Sequence, residues 1–85
     1  MVNTTMDETF DAIDFVINKK YNKIVIQNAK GDNILQFLIK YKTNSTFNIE
    51  IYSSDNVVLE KFNRMSEINQ DRIINKAIKC FFDTI

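Results

Sequence analysis

Apolar residues recur along this chain in two rhythms, and the switches between them divide it into elements. Met6, Phe10, Ile13 and Ile17 fall at helical spacing and build one apolar stripe. Thr5-Met6-Asp7-Glu8 fits a capping box, a hydroxyl at the N-cap with a carboxylate three residues on. Asp7, Glu8, Asp11 and Asp14 then stand early, and Lys19 and Lys20 late, as a helix dipole favours. The spacing therefore predicts a first helix starting at Thr5.

From residue 21 the period changes to two. YNKIVIQN (21 to 28) is rich in β-branched and aromatic side chains and predicts a first strand. Ala29 to Asn33 hold the single Gly of the chain, so the next strand should fold back antiparallel. There Leu35, Phe37, Ile39 and Tyr41 share one face, and Ile34, Gln36, Leu38, Lys40 and Lys42 share the other. After a turn at Thr43 to Thr46, Phe47, Ile49 and Ile51 alternate with Asn48, Glu50 and Tyr52. One face is apolar and suits a core, while the other is mixed and is left for solvent or a partner.

The helical rhythm then returns. Ser53, Ser54 and Asp55 are consecutive N-cap candidates ahead of Val58, Leu59, Phe62 and Met65. Ser66 offers a break, and a last helix from about Glu67 to Asp83 carries Ile74, Ala77, Ile78 and Phe81, with Ile73 and Cys80 widening the stripe. The expected fold is α+β, a three-stranded antiparallel sheet with helices on one face, in the order α-β-β-β-α-α.

Length and composition narrow this picture. Eighty-five residues make one compact domain, residues 1–85, with 45% apolar residues to fill a core. No stretch approaches the apolar length of a membrane span, and the start MVNTTMDETFDAID is acidic where a secretory signal would be basic and then apolar. A cytoplasmic protein is expected, in the host cell if a phage encodes it. Two sequons, at Asn3 and Asn44, are chance matches in a chain with eleven Asn. Ile, Asn and Lys fill 33 of the 85 positions, and Lys outnumbers Arg nine to two. That bias follows AT-rich codons, as in a low-GC bacterium, a phage or an AT-rich virus.

Candidate chemistry is sparse. The chain has no His, which removes the commonest general base and metal ligand, and one Gly cannot build a phosphate loop. No cofactor or metal is expected, and the chain reads as non-enzymatic. Cys80 falls on the inner side of the last helix, where a free Cys serves as a small core residue. Phe82 is turned about 100° from Phe81, either to cover a sheet edge or to anchor a partner.

Two surfaces remain for binding. Asp7, Asp11 and Asp14 recur one turn apart, so on the expected first helix they would line one side and could dock a basic partner. The outer sheet face should show Tyr21, Lys23, Leu38, Lys40, Lys42, Glu50 and Tyr52, with Val25, Gln27, Gln36 and Asn48 between them. Tyr and Lys interleaved could hold single-stranded RNA, but an aromatic RNA-binding signature is missing. Leu38, Val25 and the tyrosines are more apolar than solvation requires, which favours a protein partner. Charge supports this: residues 1–18 carry −4, residues 19–49 carry +5 and residues 50–85 carry −1, a dipolar spread rather than a basic excess.

The order α-β-β-β-α also occurs in double-stranded RNA-binding domains, but SEINQDRIINKAIKC lacks the Lys cluster their last helix carries. The strand pair ILQFLIKYKTN/FNIEIYSS, running through a Ser/Asp cap into NVVLEKF, resembles small phage-encoded anti-CRISPR proteins of the type II-A inhibitor group. The likeness lies in element order over about residues 10–65, in size and in codon bias. It implies an inhibitor that occupies a surface on a host protein or ribonucleoprotein complex of the CRISPR type. Acidic helix one would be the segment that mimics nucleic acid. The alternatives are a small RNA-binding module and a homo-oligomeric structural subunit such as a homodimer.

Overall fold

A computed structural model describes residues 8–85. Four antiparallel strands form one sheet in the order β1-β2-β3-β4, with β1 at Asp14–Asn18, β2 at Lys23–Gln27, β3 at Asn33–Tyr41 and β4 at Phe47–Tyr52. Two helices follow, α1 at Asn56–Arg64 and α2 at Glu67–Asp83. The architecture is α+β as expected, but the sheet has four strands, and the described elements run β-β-β-β-α-α.

The expected first helix is the main correction. A short 3-10 turn spans Glu8–Phe10, and residues 14–18 form an edge strand against β2. The stretch Asp14-Phe15-Val16-Ile17-Asn18 alternates exposed and half-buried positions, so it satisfies period two as well as the helical period. Pairing decides between the two, because Phe15 opposite Ile26 and Ile17 opposite Ile24 extend the apolar inner face by one strand. Thr5, Met6 and Asp7, which carried the cap and the start of the stripe, lie outside the described residues.

Tyr21 also moves, from the first expected strand into a 3-10 turn at Lys19–Tyr21 that joins β1 to β2. Asn18 caps this turn by accepting from the Tyr21 backbone N–H, and Asn22 closes it in the left-handed region at φ 53°. Asn tolerates that conformation better than most residues. At the other end of the sheet Gly31, at φ 87°, makes the turn between β2 and β3.

Every fully buried sheet residue faces the helices. Ile24, Ile26, Leu35, Phe37 and Ile39 pack with Phe62 of α1 and with Ile73, Ala77 and Phe81 of α2. The register shifts between Ile26 and Gln27, which pair with Leu35 and Asn33, so Ile34 is an extra residue on β3. That bulge turns Ile34 into the core, although strict alternation places it outside. Tyr41 departs in the opposite sense. It is 47% exposed at the end of β3, where its ring meets Phe47 edge-on at 6.1 Å.

The helices are held by local bonds. Asp55 caps α1 and Ser66 caps α2, each side chain accepting a backbone N–H of the first turn. Gln70 Nε2 donates to the carbonyls of Phe62, Asn63 and Met65 at 2.8, 3.2 and 3.3 Å, closing the C-terminal end of α1 from the next helix. Gln70→Ala should therefore lower stability by about 1–2 kcal/mol in urea titrations. An unchanged midpoint would show that water replaces the amide at no cost. No helix among the described residues is long and apolar enough to cross a membrane.

Candidate functional site

With both helices on one side, no element among the described residues covers the opposite face of the sheet, and the strand registers place its side chains in rows. One row runs Val16, Val25, Gln36, Tyr52, and the next runs Asn18, Lys23, Leu38, Glu50. Lys40 and Asn48 form the row beyond, toward the turn between β3 and β4. Asp14 opposes Gln27 at the far end of β1. Val16 and Tyr52 are 46% and 47% exposed at the two sides of the first row. Between them Val25 and Gln36 are half-buried, as is Leu38 in the next row.

Glu50 organises the polar part of this face. Tyr52 Oη donates to Glu50 Oε1 at 2.5 Å, and Lys40 Nζ lies 4.0 Å from the same oxygen. The ion pair is exposed and worth at most about 1 kcal/mol. Its use is to hold the tyrosine ring over the strands. Hydrogen bonding to Glu50 is the main reason the Tyr52 phenol titrates above its usual value of 10.0, with burial and the Glu50 charge adding to it. A raised value favours the protonated phenol in the fold. The contact thus stabilises below pH 10.0 and is lost as pH rises through the folded value. In NMR titrations of the tyrosine rings, Glu50→Gln should bring Tyr52 back toward the titration of an ordinary tyrosine. No movement would mean that the carboxylate does not hold the phenol in solution.

Beside Tyr52 a shallow pocket of about 190 Å³ opens between β3 and the segment after β4, lined by Val25, Gln36, Tyr52, Ser53 and Ser54 among others. Its floor is firm, because Ser53 Oγ donates to the Ile34 carbonyl at 2.7 Å and so ties the exit of β4 to the bulge.

The expected site residues are only partly brought together. Lys23, Leu38, Lys40, Glu50 and Tyr52 share the outer face as the alternation implies. Lys42 is exposed just past β3, at the turn that closes on Thr46. Tyr21 stands at the β1–β2 turn and not within a strand. The acidic helix face is corrected: Asp11 is exposed in the turn before β1, Asp14 opens β1 on the outer sheet face, and Asp7 lies outside the described residues. A contiguous acidic stripe over Asp11 and Asp14 is absent because residues 14–18 are extended. Val16 was missed for the same reason, though the alternation around it was the available signal.

The remaining candidates are structural. Cys80 is half-buried, and its carbonyl accepts from the Thr84 N–H and hydroxyl at the end of α2. Phe82 lies 5.6 Å from Phe47 and covers the start of β4 while staying half exposed. No protein-family model, curated protein or solved structure matches the chain.

Proposed function

We propose that this chain is a small non-enzymatic binding protein that meets a protein partner through the outer face of its sheet. One observation carries the reading: the helices cover a single face, and the uncovered face still presents Val16, Val25, Leu38 and Tyr52 across all four strands. An interface core is apolar and aromatic with a polar rim, and Lys23, Lys40 and Glu50 supply such a rim. Tyr52, held by Glu50 beside the pocket, is the natural anchor.

The partner we infer is a host protein or ribonucleoprotein complex of a CRISPR-type defence, with the chain acting as a phage or mobile-element inhibitor. Support comes from the likeness of the segment now assigned to β3, β4 and α1, and from size and codon bias. Mimicry of nucleic acid by an acidic helix is dropped, and blocking by protein contact is kept.

The test is capture from a nuclease-treated low-GC bacterial lysate containing CRISPR effectors. Tagged wild type should retain a defined complex that Tyr52→Ala loses, while Ile68→Asp, on an exposed helix position, keeps it. Equal capture by Tyr52→Ala, or loss with Ile68→Asp instead, would contradict the proposed face.

A further inference from the structure

The sheet has two ends of opposite charge. The β1–β2 turn and the β3–β4 turn lie at the same end, because antiparallel neighbours bring residues 18–23 beside 38–48. Lys19, Lys20 and Lys23 come from the first segment, and Lys40 and Lys42 from the second. Residues 18–23 and 40–47 contain no carboxylate at all. Glu50 lies 4.0 Å from Lys40, and Asp83 closes α2, whose Phe81 carbonyl meets Lys19. At the other end Asp14 stands opposite Gln27, and Asp32 and Asp55 line a hollow with Lys30 by the β2–β3 turn and the start of α1. The zero net charge of the chain conceals this separation.

Aromatic rings are interleaved with these lysines. Tyr21 is 61% exposed, with Lys20 Nζ 5.5 Å from its ring centre, and Tyr41 stands between Lys40 and Lys42 with only an edge contact to Phe47. Lys19 has a separate duty. Its Nζ donates to the Phe81 carbonyl at 2.9 Å and lies 4.0 Å from the centre of the Phe81 ring, so it pins α2 to the sheet. Among the described residues Lys20, Lys23 and Lys42 make no comparable contact with the helices. We propose that this end of the sheet, built on Lys20, Lys42, Tyr21 and Tyr41, is a binding site for single-stranded nucleic acid.

The chemistry selects that ligand. Lysines spread over two turns act as point charges on a flexible polyanion, whereas specific carboxylate recognition favours the arginine fork, and residues 18–23 and 40–47 contain no Arg. Exposed tyrosine rings accept bases by stacking, which a duplex with paired bases does not offer. The site lies beside the proposed protein-binding face and does not depend on it. If both readings hold, the chain meets a ribonucleoprotein partner on its protein and on its exposed strand together.

The test needs only the chain and an oligonucleotide. A fluorescent oligo(U) of about 15 nucleotides, long enough for one small binding site, is titrated by anisotropy beside oligo(dT), a duplex and a poly-Glu peptide. Both single strands should bind better than the duplex, with a log affinity against log salt slope of roughly −2 to −3 if three to four lysines engage. Lys20→Glu with Lys42→Glu should weaken binding about tenfold or more, and Tyr21→Ala with Tyr41→Ala about fivefold or more, at unchanged melting temperature. The neutral pair Lys20→Gln and Lys42→Gln repeats the test if charge reversal disturbs the fold. Absence of saturable binding at low salt, full affinity in the lysine variants, or tighter binding of poly-Glu would overturn the proposal, the last in favour of an acidic protein partner.

Discussion

Phe37→Ala is expected to lower stability by about 3–5 kcal/mol, the cost of emptying a fully buried aromatic site. Phe37 lies within β3 between Ile24 and Ile51 on the neighbouring strands, and its ring meets Phe62 of α1 edge-on at 6.1 Å. Phe62 in turn meets Phe10 at 5.9 Å, so one ring links the sheet, the first helix and the segment before β1. A domain of this size has a total stability of only about 5 kcal/mol or a little more. The variant should therefore keep only about 0–2 kcal/mol and melt near physiological temperature. Thermal melts followed by circular dichroism check this, and a fall in Tm of less than roughly 10 °C would mean that the sheet does not pack on α1 through this residue.

Leu38→Asp, one residue along the same strand, should act in the opposite way. Leu38 points to the open face between Lys23 and Glu50, so no core cavity forms when it is replaced. The cost should stay within about 1 kcal/mol, the span of strand preferences at such positions. Binding should suffer far more. A charge placed at the centre of an apolar contact typically loses about 2 kcal/mol or more, roughly thirtyfold in affinity. Calorimetry or surface plasmon resonance with the captured partner reads the affinity, and a melting curve reads the fold. If Leu38→Asp unfolds the chain, or binds as wild type does, the face is wrongly assigned.

The sequence pattern was most legible where one period acted alone. Residues 35–52 alternate cleanly, and the structure keeps Leu35, Phe37 and Ile39 inside with Lys40, Glu50 and Tyr52 outside. The caps at Asp55 and Ser66 also mark their helices, since a side-chain acceptor before an apolar stripe has few other uses. Residues 10–18 failed because Phe10, Ile13 and Ile17 satisfy a helix while Phe15 and Ile17 satisfy a strand. Only pairing with β2, a contact between segments, separates the two. Ile34 was misplaced because a bulge adds one residue and reverses the alternation, and no local signal other than the nearby turn announces it.

The candidate site inherited both kinds of outcome. Its centre, Leu38 with Glu50 and Tyr52, follows from alternation on two strands, and the acidic stripe vanished with the helix that was to carry it. The uneven charge was visible along the chain, but the meeting of the lysines from two turns at one end of the sheet was not, because it depends on strand pairing.

The sheet face opposite the helices is the surface we assign to the protein contact. It is tested most directly by an amide NMR spectrum of labelled chain, recorded with and without the complex recovered by capture. Signals at Val16, Val25, Leu38 and Tyr52 should shift or broaden, with Asn56–Arg64 and Glu67–Asp83 little changed. A footprint concentrated on the two helices, with those four signals unmoved, would contradict it.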